Sequence, residues 1–224
     1  MVVSNMDSDQ DVGNAAQKNR PAILNTPNLI TLTRFALAII VFALMSYEHY
    51  YVAFWVFVVA AGTDWVDGYI ARRTSQVTQL GRILDPFCDK IIICGAYILI
   101  AIQAAKLGDA NWSMITGWMA VVVVGRELLV TMLRGYIEQH GGDFSANLSG
   151  KLKMVFQCIA VGGCLLVFDL QSLGNETETF AVVIRWITGV AVWTALVSTI
   201  YSGIIYIFAA TKMVQGLTQD IDAT

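Results

Sequence analysis

Charge is scarce in this chain. Only 14% of its 224 residues are Asp, Glu, Lys or Arg, while 56% are hydrophobic and the mean hydropathy is +0.61. A soluble domain typically carries about 25% charged residues, so the composition argues against one. Histidine is scarcer still. His49 and His140 both fall in predicted connections, on opposite sides of the apolar segments, and neither is placed to act as a base or metal ligand. The four cysteines, Cys88, Cys94, Cys158 and Cys164, lie inside apolar stretches with no C-x-x-C pair, which favours buried free thiols over disulfides or a zinc site. The first nineteen residues are polar and hold no apolar core followed by a small-residue cleavage site. We therefore expect no removable signal peptide, and a disordered cytoplasmic tail over residues 1–22. The chain also lacks internal repeats, low-complexity tracts and any sign of a second domain.

What the chain has in abundance is apolar sequence in windows long enough to cross about 30 Å of hydrocarbon. Six such windows occur, at residues 29–47, 50–69, 86–105, 114–136, 152–170 and 180–210. The expected fold is an all-α integral membrane domain over residues 23–213, with six transmembrane helices, a cytoplasm-facing polar cavity and an N-terminal juxtamembrane helix. A polar tail is expected over 214–224. Thr26-Pro27 reads as a helix start, with threonine as N-cap and proline at the first helical position. Polar Asn28, Thr31 and Arg34 alternate with apolar residues there, so the entry helix is expected to lie partly along the membrane surface, with Asn28 and Arg34 as interfacial anchors. Short turns are expected at Glu48-His49, after Gly108 and at Gly174-Asn175.

Basic residues fix the orientation. With the N-terminus inside, Lys18, Arg20, Arg34, Arg72, Arg73, Arg82, Lys90, Arg126, Arg134, Lys151, Lys153 and Lys212 all belong to the inner half, leaving Lys106 and Arg185 nearer the outside. The positive-inside rule favours this topology, with both termini cytoplasmic. The net charge of -3 hides this asymmetry and says little about partners; nothing in the chain asks for nucleic acid.

Against this background one stretch stands out: GTDWVDGYIARRTSQVTQLGRILDPFCDK, residues 62–90. An ionised carboxylate at a bilayer centre costs roughly 2.5–3.5 kcal/mol on insertion scales, so four aspartates here require a reason. On a helix, positions 64, 67, 68 and 71 share one face, and 81, 85 and 89 repeat at intervals of four. Pro86 is compatible with this if Asp85 opens the third span. Four carboxylates at two facing helix ends stay ionised together only if cations neutralise them. Their hard oxygens, without nearby His or Cys, select Mg²⁺ or Mn²⁺, with Ca²⁺ a further fit, over zinc. Two such metals suit phosphoryl transfer. The small residues at 68, 71 and 81 leave room for a ligand against the backbone.

The run Asp64-x₂-Asp67-Gly68-x₂-Ala71-Arg72-x₈-Gly81-x₃-Asp85-x₃-Asp89 resembles the full signature of the CDP-alcohol phosphotransferases, at all eight positions. The resemblance implies a six-helix, homodimeric membrane enzyme with two bound metals and a polar cavity that admits a CDP-linked lipid. It implies that Asp64, Asp67 and Asp85 are metal ligands, and that Asp89 is both near the metal and the general base. Asp67, Gly68, Ala71, Arg72 and Gly81 would bind the CDP-lipid, with Arg72 at a phosphate.

The acceptor is a separate matter. Gly125-Arg126-Glu127-Leu128 puts two charges inside an apolar run, Arg134 follows, and Lys151 and Lys153 open the fifth window. Intramembrane ionisable groups are functional candidates. Arg126, Arg134, Lys151 and Lys153 would together suit a phosphate on the acceptor, whereas a structural ion pair of Arg126 with Glu127 is the simpler alternative. Together with the opening at residues 26–34, this arrangement resembles the branch of the family that joins CDP-diacylglycerol to glycerol 3-phosphate. Inositol phosphate, serine or phosphatidylglycerol as acceptor, a metal-dependent prenyltransferase and a cation transporter are the competing readings. The localisation expected is the cytoplasmic membrane of a bacterial-type cell.

Overall fold

The computed structural model describes the backbone of residues 26–71, 79–106, 108, 113–139, 148–174 and 178–222. Within its helices the side chains of 26–31, 63–71, 79–89, 136, 138–139, 148–151 and 212–222 lie outside the described set. Among the described residues every regular element is helical: α1 (Thr26–Ser46), α2 (Tyr50–Ala71), α3 (Gln79–Lys106), α4 (Gly117–Gln139), α5 (Leu148–Ser172) and α6 (Thr179–Asp222).

The helices expose apolar surface rather than hiding it. On α6, Ile187, Val190, Val197 and Phe208 face outward, and Trp55, Val121 and Met132 do the same on α2 and α4. A surface of this kind matches lipid, not water. α5 and α6 are long and apolar enough to cross a bilayer, over Leu152–Ser172 and Thr179–Thr211, and shorter apolar stretches cover Leu32–Ser46 and Tyr50–Gly62. The chain is a helical membrane protein.

Small residues allow the helices to approach closely. Ala53, Phe57 and Ala60 of α2 and Ala38, Val41 and Met45 of α1 line buried seams at steps of three and four. A Cβ at Gly95 of α3 would stand 2.2 Å from the Phe42 ring of α1, and one at Gly163 of α5 would stand 2.5 Å from Thr188 Oγ1 of α6. Pairings fix the directions. Tyr50 meets Phe168 at 5.2 Å between ring centroids, and Phe54 lies against Gly162, so α2 and α5 are antiparallel. α5 and α6 are antiparallel too, with Gly163 against Thr188 and Gln157 against Thr199. The aspartate-bearing last turns of α2 therefore run toward the Lys153 end of α5.

The turns fall where the sequence places them. α1 closes with Glu48 N–H bonded to the Met45 carbonyl and His49 N–H to the Leu44 carbonyl, 3.2 and 2.9 Å, with Glu48 at φ 62°. This is the Schellman pattern, with glutamate taking the left-handed position that glycine usually fills. Gly108 and Gly174, at φ 66° and 72°, end α3 and α5 in the same conformation.

Several expectations need correction. α3 begins at Gln79, so Pro86 sits inside the helix rather than at its start, where the missing N–H costs about 3 kcal/mol. α6 continues through Asp222, so most of the expected polar tail is helix. α1 runs without interruption from Thr26, and residues 1–25, before it, lie outside the described residues. Arg34 of α1 is buried against the protein at 8% exposure. Cys94, Cys158 and Cys164 are free thiols and His49 is exposed, as expected, but only Cys164 is fully buried while Cys94 and Cys158 are partly buried. Cys88 and His140 lie outside the described residues.

Candidate functional site

The signature aspartates fall on two helices. Asp64, Asp67, Gly68 and Ala71 occupy the last two turns of α2, and Gly81, Asp85 and Asp89 the first three turns of α3, so their spacings of three and four do place them on common helix faces. Their side chains lie outside the described set, and Arg72 falls outside the described residues altogether. By the chemistry of their side chains, four carboxylates, these residues suit hard divalent cations.

The described residues do reveal a polar cluster where α3, α4, α5 and α6 meet, on the same side of the bundle. Its centre is Glu127 of α4, 2% exposed. Lys153 Nζ of α5 donates to Glu127 Oε1. Arg126 Nη1 lies 3.1 Å from the same oxygen, and Lys90 Nζ of α3 lies 3.1 Å from Oε2. Gln157 Nε2 of α5 reaches Glu127 Oε1 at 3.4 Å and donates to Thr199 Oγ1 of α6 at 3.2 Å. The second edge of Arg126 donates from Nη2 to Ser202 Oγ at 2.6 Å. Arg134 Nη2 donates to Tyr206 OH at 3.2 Å. Both guanidiniums also lie over the Tyr206 ring, 5.5 and 6.0 Å from its centroid.

The fold explains the arrangement. Residues 153 and 157 are one turn apart on α5, and 199, 202 and 206 form one stripe on α6 at steps of three and four. Gly203 leaves space for the Arg126 stem, whose Cγ would lie 3.1 Å from a Cβ there. Three cations around one carboxylate leave an excess of positive charge. Lys90 is one-third exposed and partly solvated, but Arg126 and Lys153 are almost wholly enclosed. Enclosed charge is costly unless paired, and among the described residues Glu127 is the carboxylate that pairs these cations.

Of the expected acceptor residues, the fold brings Arg126 and Lys153 to one carboxylate and sets Arg134 beside Tyr206. The side chain of Lys151 lies outside the described set. The sequence reading anticipated the Arg126–Glu127 contact as an ion pair, but missed Lys90, Gln157, Thr199, Ser202 and Tyr206. The signal it passed over was the three-and-four spacing of polar residues in the last apolar window.

Comparison with known proteins gives a consistent answer. The family model described as CDP-alcohol phosphatidyltransferase matches residues 24–201. The CDP-diacylglycerol–glycerol-3-phosphate 3-phosphatidyltransferase of Bacillus subtilis is 33% identical to this chain over 81% of its length and 92% of the relative's. The protein of the same name from Haemophilus influenzae is 30% identical over 77% and 90%, and that of Escherichia coli K12 33% identical over 63% of this chain and 76% of the relative. The match reaches from α1 through the signature into α6, taking in the whole polar cluster but for Ser202 and Tyr206. With the signature complete and the match extending over most of the chain, the protein belongs to the CDP-alcohol phosphatidyltransferase family.

Proposed function

We propose that this protein transfers the phosphatidyl group of CDP-diacylglycerol to glycerol 3-phosphate, releasing CMP. The observation that favours a phosphorylated acceptor over a neutral one is the set of three cations around buried Glu127, and among phosphorylated acceptors, inositol phosphate included, the relatives' names favour glycerol 3-phosphate. A neutral acceptor gives those cations nothing to bind, whereas a phosphate monoester supplies two negative charges and three acceptor oxygens. The names of the relatives point to the same acceptor.

In this reading the chain spans the bilayer six times with both termini in the cytoplasm, and its cavity opens to that side of the cytoplasmic membrane. Asp64, Asp67, Asp85 and Asp89 hold two divalent ions, Mg²⁺ or Mn²⁺. When bound, these ions neutralise the diphosphate and the charge developing on the leaving group. Asp67, Gly68, Ala71, Arg72 and Gly81 seat the CDP-lipid. Arg126, Arg134, Lys151 and Lys153 hold the acceptor phosphate, and Asp89 takes the proton from the free primary hydroxyl. The new bond joins that oxygen to the β-phosphorus; the bond from the β-phosphorus to the bridging oxygen breaks, and CMP leaves with that oxygen. The active unit is a homodimer.

The test is purified full-length protein given labelled CDP-diacylglycerol and Mg²⁺ with each acceptor in turn. Phosphatidylglycerophosphate and CMP are expected from glycerol 3-phosphate alone, with chelation abolishing turnover and Mg²⁺ or Mn²⁺ restoring it. Efficient turnover with serine, inositol phosphate or phosphatidylglycerol instead would overturn the acceptor. Consumption of a prenyl diphosphate without CMP would overturn the reaction class.

A further inference from the structure

The apolar last helix carries the polar stripe Thr199, Ser202 and Tyr206, buried at 0%, 1% and 6% exposure. Each member engages a different polar side chain: Gln157, Arg126 and Arg134 respectively. The two arginines are not saturated by these contacts. Arg126 places Nη1 on Glu127 and Nη2 on Ser202, and Arg134 places Nη2 on Tyr206, while the Nε of each is buried with no hydrogen-bond partner among the described residues. A buried N–H donor left open is costly and is rare unless something fills it. Nε together with a neighbouring Nη forms the edge by which a guanidinium grips an oxyanion with two bonds.

We propose that Ser202 and Tyr206 are positioning residues. Together they set the two guanidiniums with their Nε–H groups toward the acceptor's phosphate, which makes α6 the element that selects a phosphorylated alcohol. The inference rests on the acceptor pocket described above. Ser202 fixes the rotation of Arg126 through one short hydrogen bond, and Gly203 beside it gives the stem its room. Tyr206 serves both arginines, through its ring for the pair and its hydroxyl for Arg134. Above Thr199 the seam runs through the apolar Ala195 and Val192 before the next buried polar residue, Thr188, about three turns away.

The experiment is steady-state kinetics on full-length protein carrying Tyr206→Leu, Tyr206→Phe or Ser202→Ala, with both substrates varied and inorganic phosphate as a competing probe. Tyr206→Leu should raise the KM for glycerol 3-phosphate, and the inhibition constant of phosphate with it, by about tenfold or more, leaving the KM for CDP-diacylglycerol within about twofold. Tyr206→Phe keeps the ring and should recover most of this, leaving a rise of about three- to fivefold; Ser202→Ala should give a similar rise. Should Tyr206→Leu fail to fold, the Phe and Ala variants carry the same asymmetry at smaller size. Equal rises in both KM values, a fall in kcat alone, or no change in the phosphate constant would overturn the role of the stripe while leaving the acceptor reading intact. A wild-type protein inactive on glycerol 3-phosphate would overturn both.

Discussion

Two regions at one end of this bundle handle charge in opposite ways. The aspartate signature is a single stretch of chain, residues 64 to 89, that carries four aspartates at helical spacing with Arg72, Arg73 and Arg82 among them, and in the proposed function outside cations neutralise the carboxylates. The polar cluster draws on residues from 90 to 206 and brings its own counter-ion, Glu127, which holds Lys90, Arg126 and Lys153 before any ligand arrives. The lesson is about linear range. Charges at helical spacing can be gathered by one stretch of chain, but a cluster like that around Glu127 has to draw on four helices, α3, α4, α5 and α6. Lys90 joins the two, since it follows Asp89 directly and reaches Glu127.

The comparison predicts that the regions fail differently. The largest effect belongs to Asp89→Asn, which should lower turnover by about 10²–10⁴-fold, measured as CMP release, while CDP-lipid binding stays largely intact. Near-normal turnover by a folded Asn variant would remove the base from the mechanism. Next is Glu127→Gln, which strips the counter-ion from two enclosed cations and a third at the edge. Breaking a buried pair from one side costs about 3–5 kcal/mol, so the purified variant should melt well below wild type. Lys153→Met in the same chain should restore much of that loss. A double variant no more stable than Glu127→Gln alone would mean that the carboxylate does not hold this lysine.

A smaller and more selective effect is expected from the cations themselves. Arg126→Ala and Lys151→Ala should weaken glycerol 3-phosphate by about 2–3 kcal/mol, the value of a charge-assisted hydrogen bond or somewhat more, and CDP-diacylglycerol by much less. Equal losses for both substrates would dissolve the distinction between the two regions. Lysine at 126 is not a conservative replacement, because it cannot contact Glu127, Ser202 and a phosphate at once.

How far the sequence could be read follows the same division. The signature is legible because helical periodicity acts over short range: once 64, 67, 85 and 89 are taken as helical, their common faces follow, and the backbone of α2 and α3 agrees. The six helices were legible from apolar windows, except where polar sequence continues a helix, as at the start of α3 and the end of α6. Charge alone picked out Arg126, Arg134 and Lys153. Their partners were not legible, because Gln157, Thr199, Ser202 and Tyr206 are ordinary residues in apolar runs until tertiary packing sets them beside a cation.

The subtlest way to sharpen the comparison is through packing that touches neither site. A Cβ at Gly163 of α5 would stand 2.5 Å from Thr188 Oγ1 and 3.1 Å from both Cβ and Cγ2 of the same residue. Thr188 is β-branched and buried, so turning its side chain exchanges one clash for another, and the two helices must separate by a few tenths of an ångström. Overpacking of this kind costs about 1–3 kcal/mol. About two turns away along α5 and three along α6, the same pair of helices carries the 3.2 Å bond from Gln157 to Thr199, which the separation would stretch. Gly163→Ala should therefore lower the melting temperature and raise the KM for glycerol 3-phosphate about two- to threefold, with the KM for CDP-diacylglycerol unchanged. Gly117→Ala is the control, because nothing lies within 4 Å of a Cβ there and alanine only adds helix propensity. If both alanines behave alike, the α5–α6 seam is looser than its geometry implies, and the polar stripe of α6 is held by its hydrogen bonds rather than by the packing above it.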